Sequence, residues 1–295
     1  MEEKVLHVSL PKGAKYRRVI VTEDGKVGIV YSVEDTNKSV ISEENTNVEV
    51  KKSKPERLVG GTEVYQKEEI PYWYCKIKNG RDEFMYLSME DLTENDLLYD
   101  SNGEPRQFTT WQQKGFKMNV LKALENKPEK GYCWIPAFEP VTNEEGKIQF
   151  VKGEKPLVEQ SSSDWEKMLE EYSPENHSCM ASDTTYFLLL LRWLKDGFAN
   201  VGEMTNYSTS MGHFCNSKNA KHDLELTGDR EFGGLYGFVG NTCKLVKSTS
   251  SESGYFMMGG SYHSYGIKTP LAHVRRVNDI NSRYDDTVGL LELKG

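Results

Sequence analysis

Two short stretches decide the fold: Gly234-Leu-Tyr-Gly-Phe-Val-Gly-Asn-Thr-Cys-Lys-Leu-Val246 and, further on, Gly259-Gly-Ser-Tyr262. Paired glycines ahead of a strand let the main chain pass where a side chain would collide. An Asn after a Gly can satisfy loop backbone groups with its amide. Arginines follow at Arg275, Arg276 and Arg283, and their fixed planar donors can tie loops together. The chain then closes on Val288-Gly-Leu-Leu-Glu-Leu293. Gly and Ser crowd into residues 197–266, which implies a loop-rich domain that displays any function on loops.

Upstream of these stretches the signals are more regular. Ser182 to Lys195 is the surest helix: Ser182-Asp183 supplies a cap, Lys195 a cation at the C-terminus and Gly197 the stop. Tyr186 to Leu194 is nearly continuous in apolar residues, so this helix should be buried against a sheet. Ser163 to Glu171 reads as a second helix, with Asp164 near its start and Trp165, Met168 and Leu169 as apolar positions. Tyr132-Cys-Trp-Ile-Pro-Ala-Phe138 reads as a strand. Gln112 to Glu125 has helical spacing through Phe116, Val120, Leu121 and Leu124.

The first third reads as short β segments. Leu6 to Leu10 alternates, and Arg18 to Thr22 with Val27 to Val33 flanks the turn Glu23-Asp24-Gly25. Residues 34–57 lose apolar content and read as a long exposed loop or a linker, with one strand near Val48 to Val50. Tyr72 to Ile77 and Glu83 to Leu87 pair around Asn79-Gly80. The expected class is α+β: a mostly β N-terminal module over residues 1–128 that serves for docking, then a second domain over 129–295.

The chain has 295 residues, 37% of them hydrophobic, and a net charge of −8 with no dense Lys/Arg run. Clustered cations are needed to neutralise phosphates, so nucleic acid is not an expected partner. The longest apolar run, Tyr186 to Leu191, is far short of the roughly 20 residues of a membrane span, so no insertion is expected. The start, Met-Glu-Glu-Lys, shows no signal peptide. Five scattered cysteines (Cys75, Cys133, Cys179, Cys215, Cys243) without CxxC spacing point to reduced thiols.

Motifs for nucleotide, zinc-protease and serine-hydrolase chemistry are absent from the sequence. Ser261 with His263 is a poor nucleophile and base pair, since near-adjacent residues seldom face each other productively. His213, Cys215 and His222 lack the paired spacing of zinc ligands and read as a loop. Asp223, Glu225, Asp229 and Glu231 could offer oxygens to calcium, but form no EF-hand and read as a solvated acidic loop. No metal or cofactor is expected.

The two opening stretches resemble the formylglycine-generating-enzyme-like family, whose domain has a C-type-lectin-type fold and whose pattern runs GLYDMxGNVxEW, RGGSW, arginines and a closing GFR strand. Gly234, Leu235 and Tyr236 match the start of the first motif, and Gly240 with Asn241 its Gly-Asn. Gly259, Gly260 and Ser261 match the Gly-Gly-Ser, with Tyr262 in the Trp position. Arg276 and Arg283 fall where the family's arginines fall, and Gly289 matches the closing glycine. Trp134-Ile-Pro-Ala-Phe138 looks like the opening strand of phage members. The resemblance covers roughly residues 130–295 and implies two helices and short twisted strands.

Departures matter as much. The oxidase members place two cysteines shortly after the Gly-Gly-Ser-Trp, whereas here His263 to Thr269 contains none. Hydroxyls cannot replace thiolates in soft-metal or thiol redox chemistry. The family's Glu-Trp is Lys244-Leu245, and its final Phe-Arg is Leu290-Leu291. The resemblance therefore implies the binding use of the fold, not catalysis. Its expected face comprises Tyr262, His263, Tyr265, Asn278, Asn281, Arg283 and Tyr284, because Tyr gives rigid contact area and Asn adaptable hydrogen bonds. The implied setting is a phage virion assembled in a bacterial cytoplasm, in a homo-oligomer among other virion proteins. The ligand would be a host-surface protein or glycan. The alternative is a purely structural head-fibre, decoration or baseplate subunit.

Overall fold

A computed structural model describes residues 14–21, 26–33, 36–47, 54–206, 223–249, 254–263 and 270–295, the first three segments by backbone course alone. The chain divides into two compact units, Met1–Ser53 and Lys54–Gly295. It is a mixed α+β protein with a β-rich N-terminal region.

The first unit is a three-stranded antiparallel meander of β1 (Ala14–Val21), β2 (Lys26–Val33) and β3 (Thr36–Asn47). Val19 pairs with Ile29, Val21 with Val27, and Tyr31 with Val40. β3 corrects the reading of residues 34–57 as loop or linker. Its sequence TNKSVISEENTN holds apolar residues only at Val40 and Ile41. It therefore has no alternation to detect, and the ladder with β2 supplies what periodicity could not. The strands expected at Leu6 to Leu10 and Val48 to Val50 lie outside the described residues.

The second unit opens with an antiparallel sheet of β4 (Tyr65–Gln66), β5 (Trp73–Ile77), β6 (Asp82–Ser88) and β7 (Tyr132–Pro136), in that order. The β5–β6 turn places Lys78, Asn79 and Gly80 at positive φ, a conformation that Asn and Gly adopt at low cost. Between β6 and β7 the chain forms α1 (Glu94–Leu98) and α2 (Trp111–Glu125). The boundary expected at residue 128 thus falls inside one sheet, because Leu87 pairs with Cys133 and Tyr86 with Trp134 across it. Residues 54–128 share a unit with everything that follows.

A small hairpin, β8 (Val141–Thr142) with β9 (Ile148–Gln149), precedes α3 (Ser162–Glu170), a short 3-10 turn at Pro174–Asn176, and β10 (Cys179–Met180). The helices α4 (Asp183–Lys195) and α5 (Val201–Thr205) follow. The helix starts are set locally. Thr110, Ser161 and Ser182 accept the N3 backbone N–H groups of α2, α3 and α4, and Asp164 completes a capping box at α3. All residues of α4 from Thr184 to Leu194 are buried, as its unbroken apolar run requires.

After α5 come the hairpin β11 (Glu231–Phe232) with β12 (Leu235–Tyr236), then β13 (Cys243–Lys247), β14 (Tyr255–Met258), β15 (Val274–Arg276), β16 (Thr287–Gly289) and β17 (Leu291–Glu292). The second four-stranded sheet has the order β15-β14-β13-β16, and its β13–β16 pair is parallel. β17 pairs with β10, and Leu293 bridges to Trp134 of β7, so the last residues join both sheets to the core. One apolar cluster gathers α4, α2 and the first sheet around Tyr186, Trp193 and Leu87. A second gathers Trp134, Trp165, Leu245 and Leu291.

Candidate functional site

The loop system that the sequence singles out is built over a buried polar knot. Glu139, next after the strand-like Trp134 to Phe138 run, is 3% exposed, and Lys244 of β13 is 2% exposed. Their charges meet at 2.9 Å. The second Glu139 oxygen accepts the Asn241 amide at 2.6 Å, and the first also accepts the Thr242 hydroxyl. Lys244 Nζ further donates to the Gly237 carbonyl at 3.2 Å and the Thr242 carbonyl at 2.8 Å. A buried charge pair keeps a protein folded only when its remaining donors and acceptors are also met, and here they are. Sequence reasoning missed Glu139 and saw Lys244 only as a departure from a family pattern. The available signal was Lys244 set between the apolar Cys243 and Leu245-Val246 of its strand.

Asn241 does for the loop what a backbone would. Its Oδ1 accepts the Glu225 N–H at 3.0 Å, and its Nδ2 donates to the Glu225 carbonyl at 3.3 Å. Gly234 has φ +86°, and a Cβ there would lie 2.8 Å from Met85 Sδ and 3.0 Å from Tyr72. Leu235 is buried and Tyr236 stacks on Phe138 with centroids 4.8 Å apart. Gly240 occupies the turn before Asn241, and Gly289 lies in β16 opposite Leu245. Arg276 is exposed on the edge strand β15, paired through its backbone with Phe256.

The segment after β14 is clasped from below. The Gly259 N–H donates to the His273 carbonyl at 2.9 Å, and Gly260 is buried. Ser261, with no exposed surface, donates its hydroxyl to Asp286 Oδ2 at 2.6 Å. The Asp286 carbonyl accepts the Cys243 N–H at 2.8 Å, and the Tyr262 N–H donates to the Asn241 carbonyl at 3.0 Å. Ser261 therefore belongs to the scaffold, and Asp286 is a further residue that the sequence did not flag.

On this base, Tyr262 and His263 come together with Asp285. The two rings lie 4.0 Å apart, the Tyr262 hydroxyl donates to the Asp285 carbonyl at 3.2 Å, and His263 Nδ1 is 3.7 Å from Asp285 Oδ2. Partial burial, then the carboxylates of Asp285, Asp286, Glu159 and Asp223, push the Tyr262 phenol up, so it stays a neutral hydrogen-bond donor. Arg283 is exposed, 3.8 Å from Asp164 at the start of α3. Tyr284 is half-buried, with the Arg275 guanidinium 5.8 Å from its ring centroid. Asn278 and Asn281 are exposed on the same loop, which Asp279 braces by accepting the Asn281 N–H and the Ser282 hydroxyl, each at 3.0 Å. Among the described residues no hydrogen bond or ring contact joins these two asparagines to Tyr262. Tyr265, and likewise His213, Cys215 and His222, lie outside the described residues.

The acidic loop is engaged with itself. Glu225 pairs with Arg230 at 2.9 Å, Asp229 accepts the Leu226 N–H at 3.2 Å, and Glu231 accepts the Gly234 N–H. Among the described residues no group of three or more His, Cys, Asp or Glu side chains is placed to hold a metal ion. The described thiols are unpaired, and burial pushes Cys179 and Cys243 up to about 12. No described helix is long and apolar enough to cross a membrane.

No family model and no curated protein matches the chain. Among solved structures, Treponema denticola variable protein 1 is similar at 10% identity and a TM-score of 0.28, over 79% of this chain and 99% of that one.

Proposed function

We propose that the second unit, Lys54–Gly295, has a C-type-lectin-type fold of the formylglycine-generating-enzyme-like kind, in a non-catalytic form that binds. The chain is then a phage virion protein whose C-terminal loops hold a host-surface protein or glycan. One observation carries the reading: Ser261 is anchored by a buried bond to Asp286, while Tyr262, His263, Asn278, Asn281 and Arg283 keep solvent-accessible surface. A rigid base with polar and aromatic tips is suited to non-covalent recognition. The protonated thiols of half-buried Cys179 and buried Cys243 also fit binding better than thiolate chemistry.

The test is binding of the labelled full-length chain to a panel of bacterial cells and to a glycan array. The double variant Tyr262→Ala, Asn281→Ala should lose at least about tenfold in affinity with an unchanged melting profile, since hot-spot aromatics carry most interface energy. Retained binding, or no binding to any surface, refutes the reading. A second reading, a structural virion subunit, is favoured by the exposed apolar residues Trp111 and Met118 on α2.

A further inference from the structure

The outward stripe of α2 is the most unusual surface of the second unit. Trp111 is 77% exposed and Met118 is 70% exposed, and both lie on the side opposite the buried Phe116, Val120 and Ala123. At a helical repeat of 3.6 residues, Trp111, Gly115, Met118 and Lys122 follow one another along a single line. Gly115 has nothing within 4 Å of where a Cβ would stand. A solvent-facing glycine in a helix interior weakens the helix and gains nothing from its own fold. Next to the C-terminal half of α2 lies a cleft with Phe187, Phe256, Val274 and Ala123 on its apolar walls and Lys122 at its rim.

We propose that α2 is a self-association face on which a second copy of this chain packs antiparallel. The stripe is complementary to itself in that direction. With the two-fold axis between residues 116 and 117, Met118 of each copy meets the notch over Gly115 of the other. Trp111 then faces the partner's Lys122, at the rim of the partner's cleft. A cation over an indole and a thioether in a glycine notch are both favourable contacts. A parallel pairing would instead set Lys114 on Lys114 and Lys122 on Lys122, which repel. The charge pattern thus selects one orientation, and the unfilled glycine position has a use only when another backbone approaches. Isologous two-fold contacts of this type close on themselves and do not propagate.

Sedimentation velocity of the full-length chain over a concentration series tests this. The expected result is a reversible dimer whose dissociation constant rises about 30-fold or more in Trp111→Ala, the effect of losing a buried aromatic anchor. Gly115→Leu fills the notch: it should raise the unfolding temperature of the monomer, because Leu is the better helix former, and abolish the dimer. That pairing of gains and losses cannot arise from misfolding. A chain that stays monomeric at all concentrations overturns the proposal. So does a dimer that both variants leave intact, since association would then lie elsewhere.

Discussion

Replacing Lys244 with Met, close to it in volume, removes the cation bonded to a carboxylate that is 3% exposed. Glu139 would keep the Asn241 amide and the Thr242 hydroxyl, two neutral donors against a full buried charge. Breaking one partner of a buried pair costs about 3–5 kcal/mol. In a unit of this size that corresponds to a fall of roughly 6–20 °C in Tm, at about 2–4 °C per kcal/mol. Urea unfolding of the full-length chain, followed by tryptophan fluorescence, gives the difference directly. Adding Glu139→Gln to Lys244→Met should recover most of the loss at neutral pH. A loss below about 1 kcal/mol, or no recovery in the double variant, would refute the claim that the knot is held by paired charge.

Two further outcomes follow from buried titratable groups. Burial pushes the Asp82 carboxyl up against the opposing hydrogen bond from Tyr172 at 2.5 Å, so ionised Asp82 weakens the fold above its raised value; Asp82→Asn should therefore raise stability at pH 7, with the advantage vanishing below about pH 4. An advantage that grows on acidification would contradict this sign. In a Cys215→Ser background, Cys75, Cys133, Cys179 and Cys243 should resist iodoacetamide at pH 8 until denaturant is added, because burial holds all four as thiols. Mass spectrometry of the labelled peptides reads this, and rapid native labelling of Cys179 would show that its neighbourhood is open.

The parts legible in the sequence are those fixed within a few residues. Asp164 near the start of α3, and Ser182 with the apolar run behind it, placed the starts of α3 and α4 to within one residue, because capping is satisfied inside a single turn. The Asn79-Gly80 turn between β5 and β6 was legible for the same reason. At the loop system, the Gly-Gly-Ser-Tyr segment marked where the chain is clasped. It gave Ser261 to the scaffold and Tyr262 to the expected face, but not Asp286, the buried partner of Ser261 that lies 25 positions further on.

What only tertiary structure decided lies between residues far apart. β3 is a strand because β2 offers it a ladder, although its own sequence has little apolar alternation. The division at residue 128 failed because strand pairing between β6 and β7 ignores the helices inserted between them. Glu139 finds Lys244 across 105 positions, and Ser261 finds Asp286 across 25. Local backbone preference and capping act over one or two turns and are therefore encoded in short words. The pairing of buried charges and hydroxyls is selected by the cost of leaving any of them unmet, and that cost exists only once the core has closed around them.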